Sequence, residues 1–143
     1  MSVLWYLILR MVPYHKGRRS EEELVRLLKQ MGVEAVRVPL SGARPLQGSD
    51  VLITLNSTTL GLSVKWGTSC PNIPIGHCQG YVAFPLSWLP HLPRLQGLAD
   101  IPARFPKAVL RELARAQGFA GRQKRGTWML VLPKEVLWKP GSA

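Results

Sequence analysis

Asp50 and Lys65 are the residues that could do chemistry. Asp50 opens the strand-like run Val51-Leu52-Ile53-Thr54-Leu55, and Lys65 ends the run Leu60-Gly61-Leu62-Ser63-Val64-Lys65. Asn56-Ser57 between the runs has hairpin-turn chemistry, so the strands should be antiparallel neighbours with Asp50 and Lys65 at one end. An acid that can hold a divalent cation, beside a lysine that can orient or deprotonate water, suits metal-assisted phosphodiester hydrolysis. Taken alone, the pair also reads as an ordinary solvated ion pair, so the flanking elements have to decide.

Upstream, Lys16-Gly17-Arg18-Arg19-Ser20-Glu21 leads into a helical pattern. Ser20 reads as its N-cap, with Glu21, Glu22 and Glu23 at the positive end of the helix dipole. Leu24, Leu27, Leu28 and Met31 recur at helical spacing, and Gly32 stops the run. Val33 to Val38 alternates like a strand with one buried face, and Pro39 ends it. Arg37 and Arg44 flank Ser41-Gly42, which lies in a loop through Gly48.

After Trp66 the pattern loosens, and Gly67 to Gly80 reads as irregular. Tyr81 to Pro85 is strand-like, and the prolines from Pro85 to Pro93 forbid a long helix. Pro106 to Gln117 reads as a helix with Val109, Leu110, Leu113 and Ala114 as its apolar stripe. Gly121 to Gly126 is a basic loop that serves equally as a solvated turn or a nucleic-acid contact. Thr127 to Leu132 is a strand, and Trp128 to Leu132 is its apolar edge, which could supply an interface if the chain pairs with itself. At the start of the chain, Ser2 to Met11 reads as a buried strand. It is too short to span a bilayer and lacks signal-peptide features.

At 143 residues the chain suits one domain, residues 1–143. A net charge of +11 calls for a polyanionic partner, and nucleic acid fits better than a membrane surface because basic residues flank the candidate chemistry. Two cysteines are too few for a disulfide-stapled secreted domain, so a cytoplasmic setting is expected. Cys70, His77 and Cys78 lack a fourth ligand, and adjacent His-Cys is not zinc spacing.

From Lys16-Gly17 and Glu21, through Ser41-Gly42, to Asp50 and Lys65, the order of residues resembles the archaeal-type Holliday junction resolvases of the PD-(D/E)XK nuclease superfamily. The resemblance runs over about residues 16 to 66. It implies an α/β, restriction-endonuclease-like fold, with a mixed central sheet flanked by helices. It also implies a Mg2+- or Mn2+-dependent homodimeric endonuclease that resolves four-way DNA junctions in recombination and repair. On that reading Glu21, Asp50, Ser63, Lys65 and Ser41 are the catalytic positions. Glu21, Asp50 and the Val64 carbonyl hold the metal, and Lys16, Arg18, Arg19, Arg37, Gly42 and Arg44 meet the DNA.

One position departs from the pattern. The family's second metal-binding acid stands two residues before the lysine, where this chain has Ser63, a much poorer magnesium ligand. Three readings follow. A downstream acid, Asp100 or Glu112, replaces it, though neither lies at the expected distance. Alternatively, Glu21 and Asp50 hold one metal with the Val64 carbonyl and waters. Or the chemistry is lost, leaving a DNA-binding protein on the same fold. Another nuclease of the superfamily is a further alternative, because the chain diverges beyond Trp66.

Overall fold

The computed structural model describes residues 14–38 and 49–138, and for residues 14–18 and Pro93 the backbone alone. Helix α1, Tyr14–Gln30, begins six residues before Ser20. Ser20 is therefore not an N-cap. It lies inside the helix on one buried stripe with Leu24 and Leu28, at i, i+4 spacing. The acidic run is likewise interior, so its carboxylates face cations from other elements instead of the helix dipole. Gly32 (φ 81) ends the helix in the left-handed region, and Val33 N–H closes back on the Leu28 carbonyl at 2.9 Å.

Strands β1 (Glu34–Arg37), β2 (Val51–Leu55) and β3 (Thr58–Trp66) follow. Next come β4 (Gly76–Cys78), β5 (Tyr81–Pro85), helix α2 (Lys107–Leu113), β6 (Gly118–Arg122), β7 (Met129–Pro133) and the short helix α3 (Lys134–Leu137). All seven strands form one sheet in the order β1-β2-β3-β6-β7-β5-β4. The β3–β6 pair is parallel and the other pairs are antiparallel. This is the mixed sheet flanked by helices expected of a restriction-endonuclease-like α/β fold.

The β2–β3 hairpin forms as its turn chemistry predicts, with Asn56 (φ 48) and Ser57 (φ 64) both left-handed. Alternating residues of the inner strands feed two separate cores. Leu62, Ala120, Leu130, Leu132, Val82 and Phe84 pack on the side of Leu24 and Leu28 from α1. Phe119, Val131 and Ala83 pack on the other side, with Val109 and Leu113 from α2. Each face of the sheet is thus sealed by its own helix.

Several expectations from the sequence change. The segment 67–80 contains a 3-10 turn, Gly67–Ser69, and strand β4. The proline-rich stretch coils into 3-10 turns, Leu86–Arg94 and Gln96–Asp100. Helix α2 stops at Leu113, short of Gln117. Gly121 and Arg122 belong to strand β6, so the basic loop narrows to residues 123–126. Strand β7 is no edge: it lies between β6 and β5, and Leu130, Val131 and Leu132 are fully buried, so it offers no dimer surface. The run from Ser2 to Met11 lies outside the described residues.

Strand β6 escapes a reading by propensity because Phe119 is its lone strong strand former. Its glycines serve close packing. A Cβ at Gly118 would stand 2.7 Å from Leu62 Cδ2 and 3.0 Å from the Val131 carbonyl oxygen. Gln117, just before it, clasps β3 twice: its N–H donates to the Gly61 carbonyl at 3.0 Å, and its Oε1 accepts from Gly61 N–H at 2.9 Å. These contacts fix the register of β6 on β3 and hence where α2 lands. Gly118→Ala is expected to cost about 1–3 kcal/mol by overpacking, measured as a lowered denaturation midpoint with an unchanged denaturant slope.

Candidate active site

Cross-strand partners share a face, and the hairpin register sets Val51 opposite Leu62. One residue back along β2, the Asp50 N–H donates to the Leu62 carbonyl at 2.7 Å and the Asp50 carbonyl accepts from Val38 N–H at 2.9 Å. The side chain of Asp50 accepts from Val64 N–H through Oδ2 at 2.9 Å. Asp50 is therefore anchored at backbone and side chain, at the end of the sheet where β3 delivers Ser63 and Lys65. The acid and the lysine come together as the hairpin predicts.

The third group comes from α2. Glu112 is 13% exposed, and its Oε1 accepts a hydrogen bond from Ser63 Oγ at 2.5 Å. Its Oε2 lies 4.0 Å from Lys65 Nζ and 4.0 Å from an Arg115 guanidinium nitrogen. Ser63 itself is 2% exposed, so its hydroxyl is a buried anchor. Asp100, the other downstream acid, lies exposed at the end of a 3-10 turn packed against β4, the far edge of the sheet.

Electrostatics mark the same place. Burial raises the Asp50 carboxyl above its ordinary range, and the nearby charge of Glu112 pushes in the same direction. The Val64 hydrogen bond, Lys65 and Arg115 oppose that rise without cancelling it. Glu21 is also raised, first by burial and then by the charges of Asp50 and Glu22, against a hydrogen bond from Arg37. Carboxylates held in partial burial near one another are costly unless a cation joins them.

Glu21 feels the charge of Asp50, but its Oε1 is bound by Arg37 Nε at 3.1 Å. Arg37 also stands 3.8 Å from Glu22, so two acids already partner the guanidinium expected at the DNA backbone. Arg122 pairs with both carboxylate oxygens of Glu23, at 2.7 and 2.9 Å, and ties α1 to β6. Arg19, Lys124 and Arg125 are exposed. Ser41, Gly42 and Arg44 lie outside the described residues, as do the side chains of Lys16 and Arg18.

Among the described residues no three Asp, Glu, His or Cys side chains converge as a metal-ligand group. Asp50 is close enough to both Glu112 and Glu21 for their charges to act on one another. Two hard oxygen donors fit magnesium, which keeps several waters and takes one or two carboxylates from a protein. They do not suit zinc, which prefers nitrogen and sulfur. Cys70 is buried in the core under α2, and burial pushes its thiol up, away from the thiolate a metal needs.

Comparison with known proteins bears on this end of the chain. The model of the archaeal Holliday junction resolvase (Hjc) family matches residues 12–73, under half of the chain. The match spans α1, the β2–β3 hairpin, Asp50, Ser63 and Lys65, and supports placing the chain in that superfamily. It stops well before Glu112. Among solved structures, Hjc of Archaeoglobus fulgidus, a Holliday junction resolvase from an archaeal hyperthermophile, is similar at 16% identity. That similarity covers 85% of this chain and 91% of that one, with a TM-score of 0.38, too loose to carry over residue positions. No curated protein matches the chain. No helix among the described residues is long and apolar enough to cross a membrane.

Sequence reasoning left Glu112 as one of two distant acids, missed Arg115 and Gln117, and put Arg122 in a basic loop where the structure pairs it with Glu23. The one signal for Glu112 was indirect: a neutral serine where an acid was expected.

The raised carboxyl of Asp50 has a consequence for stability. In metal-free buffer the folded protein holds this proton more tightly than the unfolded chain. The carboxylate therefore costs nothing below the unfolded value of about 3.9. Its destabilisation develops as pH rises from that value to the higher folded one and stays constant above it. Asp50→Asn, which can still accept from Val64, is expected to be more stable than wild type at neutral pH. The gap should close toward about pH 4, as read by thermal melts in EDTA.

Proposed function

We propose that this chain is a metal-dependent, structure-selective DNA endonuclease that resolves four-way junctions. The observation that carries the reading is the pairing of Asp50 and Lys65 on one face of the β2–β3 hairpin, inside the stretch matched by the resolvase family. Asp50 would hold Mg2+ or Mn2+, with Glu21 and the Val64 carbonyl as the further ligands the resemblance implies. When bound, the metal neutralises phosphate charge and makes a water more acidic.

The protein's own groups then act by position. Hydrolysis joins a water oxygen to phosphorus and breaks the bond to a sugar oxygen, which leaves with a proton. Lys65, 41% exposed and therefore open to a strand, orients the water or stabilises charge developing on the phosphate. Arg115 adds a second, largely exposed cation beside it. The exposed Lys124 and Arg125 lie in the loop after β6, whose register pairs Lys65 with Gly121 and Trp66 with Arg122. That loop therefore leaves the sheet at the site's own end, where backbone phosphates must pass. A four-way junction presents two symmetric cleavage points, so the active unit would be a homodimer, as in the resembling family.

Ser63 favours a second reading, a DNA-binding protein on the same fold without chemistry. Incubating a labelled junction and a matched linear duplex with Mg2+, Mn2+ or EDTA separates the two. The nuclease should make paired, metal-dependent nicks in the junction, and tight binding without nicks would support the second reading. Lys65→Ala is expected to slow cleavage by on the order of 10²–10³-fold with junction affinity little changed. For the basic loop, the double change Lys124→Ala with Arg125→Ala should weaken binding to all sequences. It should also reduce the slope of log affinity against log salt by about 1–2.

A further inference from the structure

We infer that Glu112 supplies the carboxylate that Ser63 does not, and that the Ser63 hydroxyl holds it in place for a divalent cation shared with Asp50. The inference rests on the metal-dependent reading above and goes beyond it, because the family match ends at residue 73 and includes no residue of α2.

The geometry is specific to position 63. A glutamate there would extend from β3 into the space beside Asp50 and Lys65. Serine is shorter, and the acid arrives instead from the helix that covers the same face. Ser63 Oγ donates to one oxygen of Glu112 at 2.5 Å, while the other oxygen turns to Lys65 at 4.0 Å. The serine is nearly inaccessible, so its donor has no competing water. The backbone enforces the meeting independently of these side chains: Gln117 is bonded twice to Gly61, and Leu62 and Ser63 pair with Gly118 and Phe119. Glu112 lies in the last turn of α2, just before the bend that leads to Gln117, near the buried Val109 and Leu113. Arg115 and Lys65 then partly compensate a carboxylate pair that would otherwise repel.

Titration of the full-length protein with Mn2+, followed by the loss of the free-ion electron paramagnetic resonance signal, tests this without requiring turnover. Wild type should bind, and Glu112→Gln, isosteric and still able to accept from Ser63, should bind about ten-fold more weakly or worse. Glu135→Gln, which removes a surface charge from α3 by the Asn56 turn, should bind as wild type does. If a melt shows Glu112→Gln to be unfolded, Ser63→Ala serves instead, with an expected weakening of several-fold. Wild-type affinity in either folded variant overturns the inference, and so does a wild type that binds no Mn2+.

Junction cleavage separates this inference from the nuclease reading. Should Mn2+ binding depend on Glu112 while wild type cuts no junction, the carboxylate assignment stands and the resolvase assignment fails. If instead Glu112→Gln cuts as wild type does, the resolvase assignment stands and Glu112 has no part in it.

Discussion

The parallel pairing of β3 with β6 is the constraint on which the rest of the site depends. The β2–β3 hairpin is a local structure and by itself delivers Asp50, Ser63 and Lys65 to one end of one face. It leaves that face open. Register with β6, from Leu62 opposite Gly118 to Trp66 opposite Arg122, brings α2 over it. Tight contact is possible because β6 has glycine at 118, where even a methyl group would press on Leu62 and the Val131 carbonyl. A parallel neighbour needs a long crossover. Here the chain between β3 and β6 first builds β4 and β5 on the far side of the sheet, then returns through α2.

This arrangement accounts for the charges. The acids of α1 are not spent on its dipole, because the helix begins well upstream of them. They instead meet cations contributed by separate elements, Glu21 with Arg37 of β1 and Glu23 with Arg122 of β6. In a chain of net charge +11, these pairs leave Lys65, Arg115, Lys124 and Arg125 as exposed cations around the hairpin's open end. A basic surface surrounding two raised carboxyls is suited to a polyanion that brings a metal ion into contact with acids. The same surface would also serve a protein that only binds, so the decisive group is the second carboxylate.

What could be read directly from the residues was what local physics controls. Asn56-Ser57 pointed to a hairpin, whose two positions are left-handed, and the antiparallel pairing then placed Asp50 and Lys65 at one end of the sheet. Gly32 ended α1 for the same conformational reason. The fold class followed from the order of helix, strand and hairpin together with the resemblance. Local signals misled where tertiary context overrode them. Ser20 looked like a cap but is a small buried residue on a helix stripe. The run Thr127 to Leu132 looked like a free edge, yet its apolar content reflects burial on both faces and pairing on both sides.

Glu112 marks the limit. Forty-nine positions separate it from Ser63, and no periodicity links a helix residue to a strand residue across an intervening pair of strands. The resemblance implies an acid where the chain has Ser63, and the sequence leaves few downstream acids that could replace it. Tertiary structure set Glu112, and not Asp100, against Ser63, because the β3–β6 register and the Gln117–Gly61 clasp bring one helix face onto one strand. Nothing in a linear pattern of residue types encodes that long-range contact.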